Sequence, residues 1–269
     1  MPRLSIRLLG LFEVLLDEEP VTGFDSDKVR ALLAYLAVEA DHPHRREKLA
    51  GFLWPDYPER SARTSLRRAL TNLRQVIGDK QAAPPFLYIS PQAIQLNRTA
   101  NCWVDVAAFT EASVASQPAI PNLEEAISLY RGNFLDGFSI PDSSAFEDWI
   151  TLTRESSLRE LINAHHRLLD RYLVVGNTER ALVHLRKMVE LDPYDEEANA
   201  QLIQLLGANG RRSEALSVYE SLRRSLSKEF DAVPASATTA IYEKIRSGDF
   251  IGSPVAVTSP SVATLAPPG

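Results

Sequence analysis

The chain contains a single cysteine, Cys102, among its 269 residues. One thiol excludes a disulfide within the chain and any metal site built from several cysteines. No apolar run approaches the roughly 20 residues that a membrane-spanning helix needs, so no contact with a membrane is expected. Because no long apolar core follows Met1–Leu4, we also expect no secretory signal and a cytoplasmic protein.

Sequence motifs of catalysis are missing as well. The chain has no G-x-x-x-x-G-K-[ST] phosphate loop, no G-x-S-x-G turn and no H-E-x-x-H pair. Its five histidines lie in a predicted turn or in helical patterns, without the clustering that a metal site requires. No histidine is close in sequence to Cys102, so this thiol is expected to pack rather than to react. We therefore predict that the chain is not an enzyme and binds no cofactor or metal.

Charge is distributed unevenly over a chain of net charge −6. Residues 1–100 carry 14 basic and 12 acidic residues, whereas residues 101–269 carry 15 and 23. Between residues 60 and 80 there are six Arg or Lys and one Asp. A locally basic N-terminal part joined to an acidic C-terminal part suits a DNA-binding module linked to a protein-binding one.

Residues 60–78 form the most regular helical pattern in the chain. Apolar side chains recur at spacings of three and four: Ala62, Leu66, Ala69, Leu70, Leu73 and Ile77. The opposite face holds Thr64, Arg68, Thr71 and Gln75. The two flanks hold Arg63, Arg67 and Arg74 on one side and Ser65 and Asn72 on the other. Ser61 is a candidate N-cap, and Gly78 stands where helices commonly end.

Such a polar face has two interpretations. Arg, Thr, Asn and Gln side chains hydrogen-bond base edges, and Arg also neutralises phosphate, so the helix suits a DNA groove. An amphipathic surface helix with a solvated basic face would show the same pattern. The helix alone does not decide between them.

The neighbouring segments favour DNA recognition. Alternating residues predict strands within 4–16, with a third strand beginning at Val21. Helices are predicted from Asp25 or Ser26 to Glu39 and from Arg45 to Leu53, and two short alternating runs at 86–90 and 93–97 predict a hairpin. A sheet, three helices and a hairpin wing form a winged helix, in which the third helix enters the groove.

These segments resemble the SARP-type antibiotic regulatory proteins, which are bacterial transcriptional activators with an OmpR-like winged helix. The matching motifs are Leu9-Gly10, Lys28-x-Arg30-x-Leu32-Leu33-Ala34, Leu53-Trp54-Pro55 and Leu66-Arg67-x-Ala69-Leu70-x-x-Leu73-Arg74. Ser65 and Thr71 stand where the family often has Asn and Ser, so the base preference can differ.

The second half contains a helical repeat. Gly176, Ala181 and Leu182 return 34 residues later as Gly210, Ala215 and Leu216, which is the tetratricopeptide period. This half resembles the bacterial transcriptional activation domain of the same family. Stacked helical hairpins leave a concave surface for protein contacts, although they can also serve only to brace the DNA-binding module.

The predicted fold class is an α+β N-terminal winged helix-turn-helix followed by an all-α tetratricopeptide-like helical repeat domain. We expect domains at 1–100 and 101–250 and a flexible linker or tail at 251–269. The predicted function is that of a sequence-specific activator that binds direct repeats in double-stranded promoter DNA, as a homodimer on DNA, and recruits RNA polymerase. The alternative is a tetratricopeptide scaffold whose winged helix contacts protein, and an enzyme is the third choice.

The predicted DNA-binding residues are Arg63, Thr64, Arg67, Arg68, Thr71, Asn72, Arg74 and Gln75. In OmpR-like activators the loop before the third helix touches RNA polymerase, and the resemblance implies the same here. The predicted polymerase-contact residues are Asp56, Tyr57 and Glu59, whereas Trp54 is expected to be tucked into the core.

Overall fold

A computed structural model describes residues 2–114 and 119–248. The contacts divide the chain into two compact units, Met1–Ala164 and His165–Gly269. This division does not coincide with the domain boundary predicted at residue 100, because the segments that follow residue 100 pair and pack with the N-terminal sheet. The predicted tail at 251–269 lies outside the described residues.

The first unit opens with a four-stranded sheet in the order β3-β2-β1-β7. Its strands are β1 (Leu4–Arg7), β2 (Glu13–Leu16), β3 (Glu19–Pro20) and β7 (Cys102–Val104). β1 and β2 are antiparallel, with Ile6 opposite Val14, as their alternating patterns predict. The third strand comes before Val21 because Asp17 and Glu18 adopt left-handed backbone angles and complete the turn early.

β7 lies parallel to β1, and this pairing was not predicted. The carboxylate of Asp105, the first residue of α4 (Asp105–Val114), accepts hydrogen bonds from the backbone N–H groups of Leu8 and Leu9 at 2.8–2.9 Å. It also accepts from its neighbour Val106 at 2.8 Å and lies 3.3 Å from the guanidinium of Arg131. Asp105 thus satisfies the backbone beyond the end of β1 and joins residues 102–114 to the N-terminal sheet.

Three helices follow the first strands: α1 (Asp27–Val38), α2 (Arg46–Leu53) and α3 (Glu59–Val76). α1 begins after Ser26, as predicted, and buries seven of its twelve residues. α3 begins after Pro58, three residues earlier than a cap at Ser61 would place it, so Ser61 lies inside the helix and the proposed cap was wrong. At its C-terminal end, Gly78 has a φ of +66°, the left-handed conformation that glycine adopts without strain.

The predicted wing is present as the hairpin β5 (Leu87–Ile89) and β6 (Ala93–Leu96). A third strand that was not predicted, β4 (His44–Arg45), pairs with β6 immediately before α2. His44 is buried, and its Nε2 lies 2.7 Å from the carbonyl oxygen of Glu39. The wing is therefore joined by backbone hydrogen bonds to the beginning of α2.

The rest of the first unit consists of α4, α5 (Ile120–Leu129) and the N-terminal part of α6 (Ser144–Val174). An aromatic cluster connects these segments to α1 and α2, with neighbouring ring centroids 4.6–5.7 Å apart: Tyr35, Phe52, Phe134, Phe146 and Trp149. Aromatic pairs at these separations add to the stabilisation that comes from their buried area. Residues of α1, α2 and α6 thus share one core.

The second unit contains the end of α6 and four further helices. These are α7 (Thr178–Leu191), α8 (Glu196–Ala208), α9 (Arg212–Phe230) and α10 (Ser236–Ser247). Gly176 and Gly210, which are 34 residues apart, have nearly the same φ, +71° and +70°, after α6 and α8. The predicted repeat is therefore a structural one, and the predicted fold class is confirmed.

A buried histidine pair is expected to make the stability of the second unit dependent on pH. Nδ1 of His165 lies 2.9 Å from Nδ1 of His184. Burial lowers the pKa of His165 to about 4, and the charges of His184, Lys187 and His166 act in the same direction. The unfolded chain, with an ordinary histidine pKa of about 6.5, binds a proton that the folded chain excludes.

The free energy of unfolding of this unit is expected to be highest above pH ~6.5 and to fall as the pH decreases towards ~4, by up to about 1.4 kcal/mol per pH unit. Urea unfolding at several pH values measures it. His165→Gln should flatten the profile in this range, whereas His166→Gln, at a half-exposed position, should keep it. Identical slopes for the wild type and His165→Gln would contradict the assignment.

Candidate nucleic-acid interface

α3 separates an apolar stripe from a polar face. Its buried side chains are Ala62, Leu66, Ala69, Leu70 and Leu73. Its exposed polar side chains include Arg60, Arg63, Thr64, Arg67, Arg68, Thr71 and Gln75. Packing of the stripe fixes the rotation of the helix about its axis, so the polar face has one defined orientation. Six of the eight predicted DNA-binding residues lie on this face, whereas Asn72 and Arg74 are half-buried.

Arg67, Arg68 and Gln75 are exposed polar residues of this face that are available to a ligand. The ion pairs among the described residues involve neither Arg67 nor Arg68. These three residues line a shallow groove together with Thr71 and Asn72 of α3 and with Thr22, Gly23 and Asp25 of the segment before α1. Two guanidiniums and an amide therefore point to solvent along one side of the helix.

Two threonines on the same face bond to their own helix. The hydroxyl of Thr64 donates to the carbonyl of Arg60, and that of Thr71 donates to the carbonyl of Arg67, both at 2.9 Å. Such bonds to the residue four positions earlier use the hydroxyl proton. They leave an acceptor oxygen and a methyl group facing outward, which suits contact with a base edge rather than donation to a phosphate.

Asn72 has a different role from the predicted one. Its Oδ1 accepts a hydrogen bond from the backbone of Asp25, and its Nδ2 donates to the carbonyl of Gly23, both at 3.1 Å. Both ends of the amide are thus used within the protein. Asn72 holds the segment before α1 against the side of α3 and sets one wall of the groove.

Arg74 is also held internally. Its Nε donates to a carboxylate oxygen of Asp79 at 2.8 Å, and the other oxygen of Asp79 accepts from the backbone of Leu87 at 3.0 Å. Asp79 is 1% exposed. This buried carboxylate therefore connects the C-terminal end of α3 to the first strand of the wing, and Arg74 is placed at that junction.

The charge of Arg63 is already compensated. Its guanidinium lies 2.5 Å from a carboxylate oxygen of Glu59 and 3.1 Å from one of Glu47. Exposed ion pairs of this kind stabilise a protein little, but they reduce the positive charge offered to a phosphate. Arg63 connects α2 to α3 and offers less charge to an anion than Arg67, one turn further along.

Arg46 is a basic residue of this surface that the sequence analysis missed. Its Nε donates a hydrogen bond to the carbonyl of Ser90, and its backbone N–H donates one to the carbonyl of Gln92, both at 2.9 Å. Arg46 is thereby bonded to the wing turn through its side chain and its backbone. Partial burial lowers the pKa of Arg46, and the nearby charge of Arg67 lowers it further. The sequence feature that could have indicated Arg46 is the adjacent basic pair Arg45-Arg46 at the start of a predicted helix.

The predicted polymerase-contact loop is exposed from Pro55 to Pro58. Trp54 is buried as expected, and Tyr57 is 49% exposed. Nζ of Lys28 lies 5.5 and 5.8 Å from the ring centroids of Trp54 and Tyr57. Glu59 belongs to the first turn of α3 rather than to the loop, so Asp56 and Tyr57 are the predicted residues that the loop itself displays.

The described segments supply little else that suggests a chemical site. Across residues 2–114 and 119–248, no group of three or more His, Cys, Asp and Glu side chains could hold a metal ion. Within the same segments, none of the helices combines the length and the apolar character of a bilayer-crossing segment. Burial raises the pKa of Cys102 to about 12, which makes its thiol a poor nucleophile.

Comparison with known proteins identifies the family. Residues 104–246 match the family model described as the bacterial transcriptional activator domain. The transcriptional regulatory protein EmbR of Mycobacterium tuberculosis is 26% identical over 253 residues, which cover 90% of this chain and 63% of EmbR. The transcriptional regulator RedD of Streptomyces coelicolor is 25% identical over 245 residues, covering 84% of this chain and 66% of RedD.

A solved structure supports the same relationship. Mycobacterium tuberculosis EmbR in complex with a low affinity phosphopeptide has a TM-score of 0.69 and 25% sequence identity, covering 92% of this chain and 66% of that chain.

The regulatory protein AfsR of Streptomyces coelicolor is 25% identical over 233 residues, which are 83% of this chain and 22% of AfsR. This chain thus spans slightly less than two thirds of EmbR. It belongs to the bacterial transcriptional activator domain family, in the group of SARP-type regulators.

Proposed function

We propose that this chain is a sequence-specific DNA-binding transcriptional activator, in which α3 enters the major groove and the wing lies over the adjacent backbone. The supporting observation is the polar face of α3, where Arg67, Arg68 and Gln75 are exposed. Relatives over most of the chain are named transcriptional regulators, and promoter DNA would place the protein in the bacterial cytoplasm. No enzymatic step is part of this proposal.

The face divides into three kinds of residue. We assign contacts with base edges to Arg68 and Gln75, and to the two threonines of the same face, Thr64 and Thr71. Arg67 is proposed to meet phosphate. Asn72, Arg74 and Arg63 are given positioning roles, because their polar groups are already bonded within the protein.

Salt titration of binding to duplex DNA tests this proposal. A protein that neutralises several phosphates loses affinity steeply with salt, because each contact releases condensed counterions. Binding should weaken about 10³-fold or more between 50 and 200 mM salt if about six phosphates are contacted. Affinity for DNA that does not change with salt would contradict it and favour the scaffold alternative.

The helical region is proposed to contact protein, including RNA polymerase. In the second unit, Val174, Val175 and Val183 are more than half exposed, and such apolar groups favour protein contact over solvent. The scaffold alternative shares this feature and differs in having no salt-dependent affinity for DNA.

Pairing of two copies on direct repeats is part of the proposal and predicts two half-sites about 10–10.5 bp apart on one face of the duplex.

The loop before α3 is proposed to touch polymerase through Asp56 and Tyr57. Pro55 and Pro58 restrict its backbone, which lowers the entropy lost on binding. Acidic and aromatic groups suit a basic partner surface. Asp56→Ala is expected to leave promoter affinity unchanged and to lower transcription in a purified polymerase system.

Glu59→Ala is the matched comparison, because it removes one carboxylate of the same region while releasing Arg63 from an ion pair. This variant should bind DNA as tightly as the wild type or more tightly. If transcription by Asp56→Ala follows promoter occupancy as it does for the wild type, this carboxylate plays no part in activation.

A further inference from the structure

Three segments of the first unit converge: the first turn of α2, the middle of α3 and the wing turn at residues 90–93. The ion pair between Arg63 and Glu47 holds the start of α2 against α3. Arg67 follows Arg63 by one helical turn on the same flank, and Arg46 precedes Glu47. Arg46 of α2 and Arg67 of α3 therefore lie close enough for their charges to interact.

Among the residues that the structure describes, neither arginine forms an ion pair with a carboxylate. Arg46 is half-buried, and its bonds go to carbonyl oxygens of the wing turn, which carry no full charge. Arg67 is exposed, and the ion pairs found in the described ranges do not include it. Partial burial lowers the pKa of Arg46, and the nearby charge of Arg67 lowers it further, so the two cations repel each other. Bringing an anion between two such groups relieves this repulsion.

The bond to Ser90 also orients Arg46. Because Nε is committed to the carbonyl of the wing turn, the plane of the guanidinium is fixed and its terminal nitrogens are left for a ligand. An arginine with a fixed plane suits the fork-like recognition of a phosphate, which a lysine does not reproduce. A nearby arginine on an adjacent helix then supplies a second set of donors.

We propose that Arg46 and Arg67 together clamp a single backbone phosphate of the bound duplex, at the junction between α3 and the wing. This inference rests on the DNA-binding function proposed above and assigns a ligand to a residue outside the recognition helix. The clamp fixes the depth at which α3 sits in the groove, because the same Arg46 holds the wing turn through Ser90 and Gln92. It carries no base preference itself, since phosphates are identical along the duplex.

The test is a scan of single neutral methylphosphonates through a duplex selected for tight binding, with affinity measured for the full chain. In the wild type, one position per half-site should weaken binding about tenfold or more, the loss expected when hydrogen bonds to a charged group are removed. Both Arg46→Gln and Arg67→Gln should bind the unmodified duplex more weakly and lose sensitivity at that same position. The double variant should lose less affinity than the two single losses combined.

Arg45→Gln is the charge-matched control, because it removes one exposed cation immediately beside Arg46. Arg45→Gln is expected to lower the affinity for all duplexes by a similar factor, if it lowers it at all. The position at which a methylphosphonate weakens binding should be the same as in the wild type. Arg46→Lys should behave like Arg46→Gln in the scan, although it keeps the charge. Thermal unfolding of each variant without DNA establishes that the fold is retained.

The outcomes separate the two proposals. If the wild type binds with a steep salt dependence but the two glutamine variants lose sensitivity at different phosphates, or at none, the clamp is wrong and DNA binding stands. If the wild type shows no salt-dependent binding to any duplex, both are overturned. Convergence of both variants on one phosphate, with Arg45→Gln unaffected there, establishes the clamp.

Discussion

Arg68→Ala is expected to lower affinity for the selected DNA site by about 1–3 kcal/mol and to relax the preference at one base pair, as the loss of a bidentate arginine contact to guanine would. Arg68 lies on the exposed face opposite the buried stripe, and the ion pairs of the part that the structure describes do not use it. The loss should therefore come from DNA rather than from a broken contact within the protein. Gln75→Ala is expected to relax a different base pair, since Gln75 lies two turns further along α3.

Affinity for a panel of single-base variants of the site measures both effects. Arg60→Ala is a useful control, because Arg60 is an exposed cation of the first turn to which we assign no base contact. It should weaken all sequences alike and reduce the salt slope by about one unit at most. Arg68→Ala and Gln75→Ala proteins with unchanged base preferences would contradict the recognition role of α3.

Asp105→Ala is expected to destabilise the first unit by about 3–5 kcal/mol, because it leaves the backbone N–H groups of Leu8, Leu9 and Val106 without their acceptor and removes the partner of the exposed Arg131. Asp105 is 1% exposed, and its bonds run to Leu8, Leu9, Val106 and Arg131. Burial raises the pKa of Asp105, whereas these donors and the Arg131 charge lower it. Burial is the larger effect, so the pKa of Asp105 is raised overall, and the donors offset part of the cost of burying the carboxylate.

Urea unfolding followed by a probe in the first unit measures this loss. Glu111→Ala is the comparison within the same helix, because Glu111 is exposed and makes a surface ion pair with Arg98 at 3.4 Å. It should change the unfolding free energy by about 0.5 kcal/mol or less. Equal effects of the two substitutions would show that Asp105 does not join residues 102–114 to the sheet.

Long periodic elements were predictable because their own sequence determines them. The stripe from Ala62 to Leu73 predicted α3, and the 34-residue spacing from Gly176 to Gly210 predicted the helical repeat. The two strands missed, β4 and β7, have two and three residues, and they exist through pairing with distant strands rather than through a pattern of their own. Short segments of this kind carry too few residues to show a period.

The individual roles within the interface were less predictable than the interface itself. The side chain of Asn72 is bonded to residues 47 and 49 positions earlier, and Arg63 is paired with Glu47 on another helix. A helical projection shows which residues share a face, but not which partners the fold brings to that face. Arg46 was missed for the same reason, because its proximity to Arg67 depends on the packing of α2 against α3.

Selection of bound sequences from a pool of random duplexes by the full chain tests DNA recognition most directly. Wild-type protein should enrich one sequence, present as two directly repeated half-sites about 10–10.5 bp apart, with affinity that falls steeply as salt rises. A pool that stays random after repeated rounds at physiological salt would contradict the assignment of α3 as a recognition helix.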